Sequence, residues 1–517
     1  MADASPASES AVAADGPSPS RHAADPVERR PGVVGWLSGV WEDLRVPLER
    51  PAAPWRPYFD LSRRIGGGLG RHSVPRAALH PAPWIIVFAV IAWIILMMRQ
   101  LPCRQSSPDD AVDSYGALCY SDIPLLYNSR GISQGQAFYT DVPWEYPVLS
   151  GFFANVARWI TDHLGFRAAP GLSAETLLAN THVYFAVTAV MLFICFLVVV
   201  IAQIALVRRD SWMPIAVAAS PAIMTAGLIN WDLFVVALTS LGLLAWVKRH
   251  PVWAGALLGL AAAAKFYPLF VIGALFLWCW RAGRLPEWVR ATVAALIAWF
   301  AVNLPLAIID FSAWSYFYTY NADRGAEFGS IWYALQLMGW GLPGVKWWSR
   351  AVIVAGLAGL AFLVWKAPIR PRLIQVVYLA VAVFVVGNVV YSPQYVLWLV
   401  PLVTLARPIL ADLAVFTVGE LVYFVAIWAY LDAKLTPPDG GPPWLYIAAV
   451  VVRVAATCWI MSRVVRDVWH PEKGPFAARV VPAVPATEPS EPVASRSRRR
   501  RSPSTDTVAA EPAHRSA

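Results

Sequence analysis

Apolar runs of membrane-spanning length recur from Trp84 to Met461, divided by short turns in which lysine and arginine return at every second interval. A hydrocarbon core about 30 Å thick leaves an unpaired backbone no water to bond, so a chain that crosses it repeatedly must do so as helices or as a closed barrel. Runs such as residues 183–207 and 291–309 are long and continuously apolar rather than alternating, which selects helices. Hydrophobic residues make up 58% of the 517 and charged residues only 15%, so an all-α polytopic membrane protein is expected instead of a large soluble core.

The basic turns orient the runs. Arg63, Arg64, Arg71 and Arg76 precede the first span, residues 84–98, and place the amino terminus in the cytoplasm. That span leads to a long first external loop, and residues 183–207 return to Arg208 and Arg209. Residues 213–228 and 233–247 go out and back to Lys248 and Arg249, and residues 252–264 and 269–280 go out and back to Arg281 and Arg284. The last two limbs are short, as in a broken or thinned pair. Residues 291–309 reach a second long loop, Asp310 to about Ser349, and residues 351–365 return to Lys366, Arg370 and Arg372. Residues 373–386, 396–406, 413–430 and 444–461 bring the total to about twelve crossings, with both termini cytoplasmic in a multi-pass cell-membrane protein. The amphipathic segment 148–160 is expected beside the membrane or re-entrant, because as a span it would put Arg208 and Arg209 outside and reverse every later loop.

Three regions follow: 1–80, cytoplasmic and disordered or interfacial; 81–465, the transmembrane domain; and 466–517, a disordered basic tail. The first 30 or so residues are mainly Ala, Ser, Pro and Asp, which bury too little to offset the entropy of ordering. Residues 33–44 space Trp36, Val40 and Trp41 on one face, suiting a helix that lies in the headgroup layer. Arg496 and Arg498 to Arg501 suit either anionic headgroups or plain solvation. The formal charge of +9 arises largely in these tails and in cytoplasmic turns, so nucleic acid is not expected as a partner. Cys195, Cys279 and Cys458 lie in apolar runs as small hydrophobes, whereas Cys103 and Cys119 share the first external loop, where a disulfide and two free thiols both remain open.

That loop contains CYSDIPLLYNSRGISQGQAFYTDVPWEYP, from Cys119 to Pro147, and carries Asp122, Arg130, Asp141 and Glu145. Charged groups beside lipid usually face a cavity that binds or reacts. With the topology above, Asp122, Glu145, Asn230, Asp232, Lys265, Arg324, Glu327, Tyr391 and Gln394 all project outward, although each comes from a separate apolar interval. Cations there can hold a lipid-linked phosphate while a carboxylate takes a proton from an attacking hydroxyl. Lys265, between Ala261–Ala264 and Phe266-Tyr267-Pro268, sits where a lysine costs roughly 2.5 to 3.5 kcal/mol at a helix centre and less near an end; snorkelling is the alternative to ligand binding. Asp122 stands between catalysis and a local backbone cap. Asn230 and Asp232 stand between a binding role and capping the helix that follows. Arg324 and Glu327 stand between binding and pairing with each other, and Tyr391 and Gln394 between binding and building a turn. No spacing of histidines and carboxylates suggests a metal site.

The Asp-bearing loop after the first span, EYP before a helix, NWDL, AAAKFYP and YSPQYVLW together resemble glycosyltransferase family 87, of the GT-C type, across about Trp84 to Met461. Its characterised actinobacterial members include mannosyltransferases dependent on polyprenol-phosphate-mannose and a related arabinofuranosyltransferase. The resemblance implies inverting transfer of a hexose, mannose above arabinofuranose, from a polyprenyl-phosphate donor to a lipid or glycan acceptor on the outer face, without a cofactor. Asp122 would be the general base; Lys265 and Arg324 would hold the donor phosphate; Glu145, Tyr146, Asn230, Asp232, Glu327, Tyr391 and Gln394 would contact substrate. Val148 departs from a second proline often found after EYP, and no histidine lies near the second loop. A lipid flippase or transporter predicts midplane charge and repeated halves instead, and a non-catalytic envelope scaffold would use the loops only to bind partners.

Overall fold

The computed structural model describes residues 81–107, 111–136, 138–207 and 211–476. The expected interfacial helix at 33–44, Arg63, Arg64, Arg71 and Arg76, the turn arginines Arg208 and Arg209, and the tail arginines lie outside the described residues. Secondary structure within them is helical, apart from an isolated bridge between Phe138 and Val142.

The first helix, α1 (Pro81–Arg99), turns Ile85, Ala89, Trp93 and Leu96 inward and leaves Ile86, Val90, Ile91 and Ile94 exposed, the division expected of a helix bathed in lipid. Next come α2 (Asp122–Ser129), capped by Ser121, and α3 (Val148–His163), which starts after Pro147. α4 (Ala174–Leu206) is 33 residues long, or about 50 Å at 1.5 Å per residue, so it begins well outside a 30 Å core. α5 (Asp232–Val247), α6 (Pro251–Ala264) and α7 (Pro268–Ala282) are short and apolar, and α6 and α7 each open on a proline, whose missing N–H is harmless in a first turn. α8 (Leu285–Ile309) leads to two helices inside the second long loop, α9 (Phe311–Asp323) and α10 (Ile331–Leu337). α11 (Val345–Lys366), α12 (Leu373–Gly387), α13 (Val396–Ala406), α14 (Leu410–Leu431) and α15 (Trp444–Trp469) complete the described bundle.

Among the described residues, α1, α4, α8, α11, α14 and α15 are long and apolar enough to cross a membrane, and further apolar helices are shorter. The protein is therefore a polytopic α-helical membrane protein. The run expected to cross at 213–228 is apolar and helical but interrupted, forming two short helices, Ile215–Ala218 and Pro221–Ala226. A proline at 221 has no N–H to donate and its ring would strike the carbonyl four residues back, so the helix stops and restarts. The segment at 148–160 forms α3, extended to His163, and is not among the apolar helices of spanning character.

Small residues set the tightest contact. Gly255 and Gly259 of α6 face Ala291 and Ala295 of α8, and a Cβ at either glycine would collide with the opposing carbonyl oxygen. Without a hydrophobic drive between helices in lipid, such close backbone approach is a main source of association. Gly259→Leu should therefore cost at least the about 1 to 3 kcal/mol typical of overpacking and sharply reduce the monodisperse fraction in detergent; an unchanged elution profile and melting midpoint would refute this.

Chain direction separates the two ends of the bundle. α13 leads from the end that holds Trp398 to Arg407 just beyond its last turn, and α14 returns from Asp412 to Trp428. At the far end, buried Arg407 is paired with both Asp412 and Asp467. That pairing carries α15 to Trp469, beyond the expected boundary at 465/466. The near end is open.

Candidate active site

A cavity of about 780 Å³ occupies the near end, bounded by the first loop, the junctions α6–α7 and α12–α13, the far turns of α9, the first turns of α11 and the last turns of α14. Asp122, Glu145, Tyr146, Lys265, Arg324, Glu327 and Gln394 line it. Four chain segments thus deliver to one cavity six of the nine polar groups that the alternation of basic turns had assigned to one side.

Asp122 opens α2, yet its carboxylate is not the cap of that helix. The cap is Ser121, whose Oγ accepts from Ile123 N at 3.2 Å and donates to Leu228 O at 2.6 Å. Asp122 N donates to Ile229 O at 2.7 Å, fastening the residue to the segment before α5. This leaves both carboxylate oxygens free for side chains: Tyr120 Oη donates to one at 2.8 Å and Tyr146 Oη to the other at 3.1 Å. Burial pushes the Asp122 carboxyl up to about 6, against the lowering by the two tyrosine hydrogen bonds and Lys265, while Glu145 adds to the rise. A carboxyl held there, half-buried on a cavity wall, is ionised at neutral pH and basic enough to take a proton. Upstream, Cys103 and Cys119 form a disulfide, Arg99 Nη2 donates to Thr225 O at 2.8 Å, and a further Arg99 bond reaches Leu118 O. The strand of loop entering Asp122 is thereby tied to α1 and to the 213–228 segment.

Lys265 ends α6 in an extended conformation. Its Nζ donates to Asp232 Oδ1 at 2.9 Å and lies 4.8 Å from the Tyr146 ring centre and 5.9 Å from that of Trp398. With 15% of its side chain exposed, it is an ion-paired wall residue and does not snorkel to a surface. The other Asp232 oxygen accepts from Trp398 Nε1 at 2.9 Å. Asn230 does take the local role, its Oδ1 accepting from Asp232 N at 3.0 Å, while its Nδ2 lies 3.4 Å from Tyr146 Oη. Asn230 and Asp232 are buried behind the wall and position Tyr146 and Lys265.

Glu145 pairs with Arg130, and Arg324 forms a two-pronged pair with Glu327, Nε to Oε1 at 2.7 Å, with both Arg324 and Glu327 on the cavity wall. Glu327 N donates to Val389 O at 2.9 Å and Tyr391 N to Phe328 O at 3.3 Å, joining the second loop to the segment before α13. Gln394 lines the cavity, but the Tyr391 side chain turns away from it. Tyr391 Oη donates to buried Glu420 at 2.9 Å, and Glu420 accepts from Arg453 Nε at 2.9 Å. Arg453 also donates to the carbonyls of Tyr391 and Ser392.

Residues 171–387 match the model of glycosyltransferase family 87. Over that stretch the chain is similar to the glycosyltransferases of this family. No curated protein matches it. This membrane glycosyltransferase carries Asn230, Asp232, Lys265, Arg324 and Glu327 within the matched residues, with Asp122 before and Gln394 after them.

Several groups on or behind the cavity wall of the glycosyltransferase carry little signal in the sequence. Tyr120 is adjacent to the motif but became visible only through its bond to Asp122. Trp398 stands in YVLW, where it reads as one apolar residue among many. Glu420 and Arg453 carried a usable signal, since an acid and an arginine inside otherwise apolar spans demand partners. Lys346 and Arg350, in the first turns of α11, line the cavity without any motif around them to mark them.

Proposed function

We propose that this glycosyltransferase moves a hexose, mannose first and arabinofuranose as the alternative pentose, from a polyprenyl-phosphate donor to a lipid or glycan hydroxyl on the outer face of the cell membrane. The reading is of GT-C type, with both termini in the cytoplasm and no cofactor, because a glycosyl phosphate is already activated. The observation that carries it is Asp122: a carboxylate held by two tyrosine hydroxyls, shifted toward neutrality, in the wall of a cavity that also presents cations and aromatic rings. The acceptor oxygen bonds to the anomeric carbon as its proton passes to Asp122. The bond from that carbon to the phosphate oxygen breaks, its electron pair leaves with the polyprenyl phosphate, and the carbon inverts.

Membranes containing the protein, supplied separately with radiolabelled polyprenyl-phospho-mannose and polyprenyl-phospho-arabinose, test the reading by which label reaches lipid or glycan. The base requirement sets the pH dependence. Turnover should be flat above about pH 7 and fall about tenfold for each unit below about 6, as Asp122 gains its proton. Activity that persists undiminished at pH 4.5 in folded protein would rule out this base.

A further inference from the structure

Charge on the cavity wall is distributed unevenly. Lys265 is already matched by Asp232, Arg324 by Glu327, and Glu145 by Arg130. Each of those cations would have to give up part of a short ion pair to hold a substrate anion. Along α11 the situation differs. Arg350 lines the cavity and has no carboxylate partner among the described residues; its guanidinium rests 4.7 Å from the centre of its neighbour Trp347. One turn earlier, Lys346 Nζ lies 3.5 Å from Asp323, a side chain 84% exposed, so that contact is weakened by solvent.

The same helix face continues as Ile353 and Val354, also on the cavity wall. Positions 346, 350, 353 and 354 follow helical spacing, so α11 presents two cations followed by two aliphatic side chains down a single stripe. Phe266 and Phe270 and, from α12, Phe384 enlarge the apolar part. Val354 and Phe266 are 65% and 45% exposed, which opens that part sideways, toward where lipid chains lie around a membrane protein. α11 is fixed in this register by Ser349 Oγ, which donates to Gly387 O at 2.7 Å. Two cations above an apolar slot complement the anionic head and hydrocarbon chain of a lipid phosphate.

We propose that Lys346 and Arg350 bind the phosphate of a lipid-linked substrate whose hydrocarbon chain runs past Ile353, Val354, Phe270 and Phe384, leaving Lys265 and Arg324 to shape the sugar end of the cavity. This rests on the membrane glycosyltransferase reading. Two sources share the chemistry: a polyprenyl phosphate donor and a phosphoglycerolipid acceptor.

The test uses the full chain in neutral nanodiscs and measures binding apart from turnover. Decaprenyl phosphate, phosphatidylinositol and uncharged decaprenol are titrated against the parent, Arg350→Gln, and Lys346→Gln with Arg350→Gln. The expected result is a loss of at least about tenfold in affinity for one phosphate-bearing lipid, with decaprenol binding unchanged; the lipid that loses affinity names the source. Equal binding of both phosphate lipids by parent and variants overturns the proposal, as does an equal loss for decaprenol. Sugar transfer is read in parallel. A parent that transfers sugar, with variants that do so at the parent Km, removes this site while leaving the proposed function. A parent that transfers neither sugar, with the phosphate-selective loss intact, removes the donor reading and leaves the site.

Discussion

Asp122→Asn is expected to lower sugar transfer by about 100- to 10,000-fold, the range over which a positioned general base acts, while donor binding stays near the parent value. Asparagine preserves size and an acceptor toward Tyr120 but cannot take the acceptor's proton. A capping role would predict a loss of about 0.5 to 2 kcal/mol in stability instead, and the geometry removes that role, because Ser121 supplies the cap. The sign of the stability change separates the two further. The Asp122 carboxyl is raised to about 6 in the fold from about 3.9 in an unfolded chain. A raised carboxyl contributes stability below the unfolded value and loses that contribution as pH climbs through the folded one. Near pH 7.5 the parent therefore carries the cost of an ionised Asp122 and the neutral amide does not. The variant should melt at or above the parent midpoint at pH 7.5, with the gap closing toward pH 4, while being nearly inactive. A lower midpoint with residual activity in proportion to folded protein would return Asp122 to a structural role.

The division between what the sequence disclosed and what it concealed has a physical basis. Membrane insertion penalises charge in the apolar intervals and biases arginine to one side, so the intervals and their sidedness leave a one-dimensional trace. That trace was enough to gather Asp122, Glu145, Lys265, Arg324, Glu327 and Gln394 around one cavity. Side-chain direction leaves no such trace. Tyr391 and Gln394 are three residues apart in one turn, yet one faces the Glu420–Arg453 pair and the other faces the cavity. Pairing is equally hidden. Lys265 and Asp232 are 33 residues apart on different helices, and only their 2.9 Å contact shows that Lys265 enters the site already neutralised. The break within the 213–228 run has a simpler cause: hydropathy averaged over the run outweighs Pro214 and Pro221, which decide whether it is continuous.

Arg453 holds the cavity wall from behind, and its removal should produce the largest stability loss. Its side chain is wholly buried between Tyr391 and Tyr423, paired with Glu420, and bonded to the two carbonyls that immediately precede Pro393 and Gln394. Arg453→Met fills the space but leaves Glu420 without its cation, a change that costs about 3 to 5 kcal/mol when one partner of a buried pair is deleted. The single variant should yield little folded protein. Adding Glu420→Gln removes the stranded charge while keeping an acceptor for Tyr391 Oη, so most of the folded yield should return. Transfer should not return with it, because the carbonyls of Tyr391 and Ser392 still lack their donor and the segment bearing Ser392, Pro393 and Gln394 is no longer fixed against the cavity. The pair of variants thus separates charge compensation, which the second substitution repairs, from wall geometry, which it does not. A refolded double variant with parental turnover would mean that Arg453 serves only to neutralise Glu420.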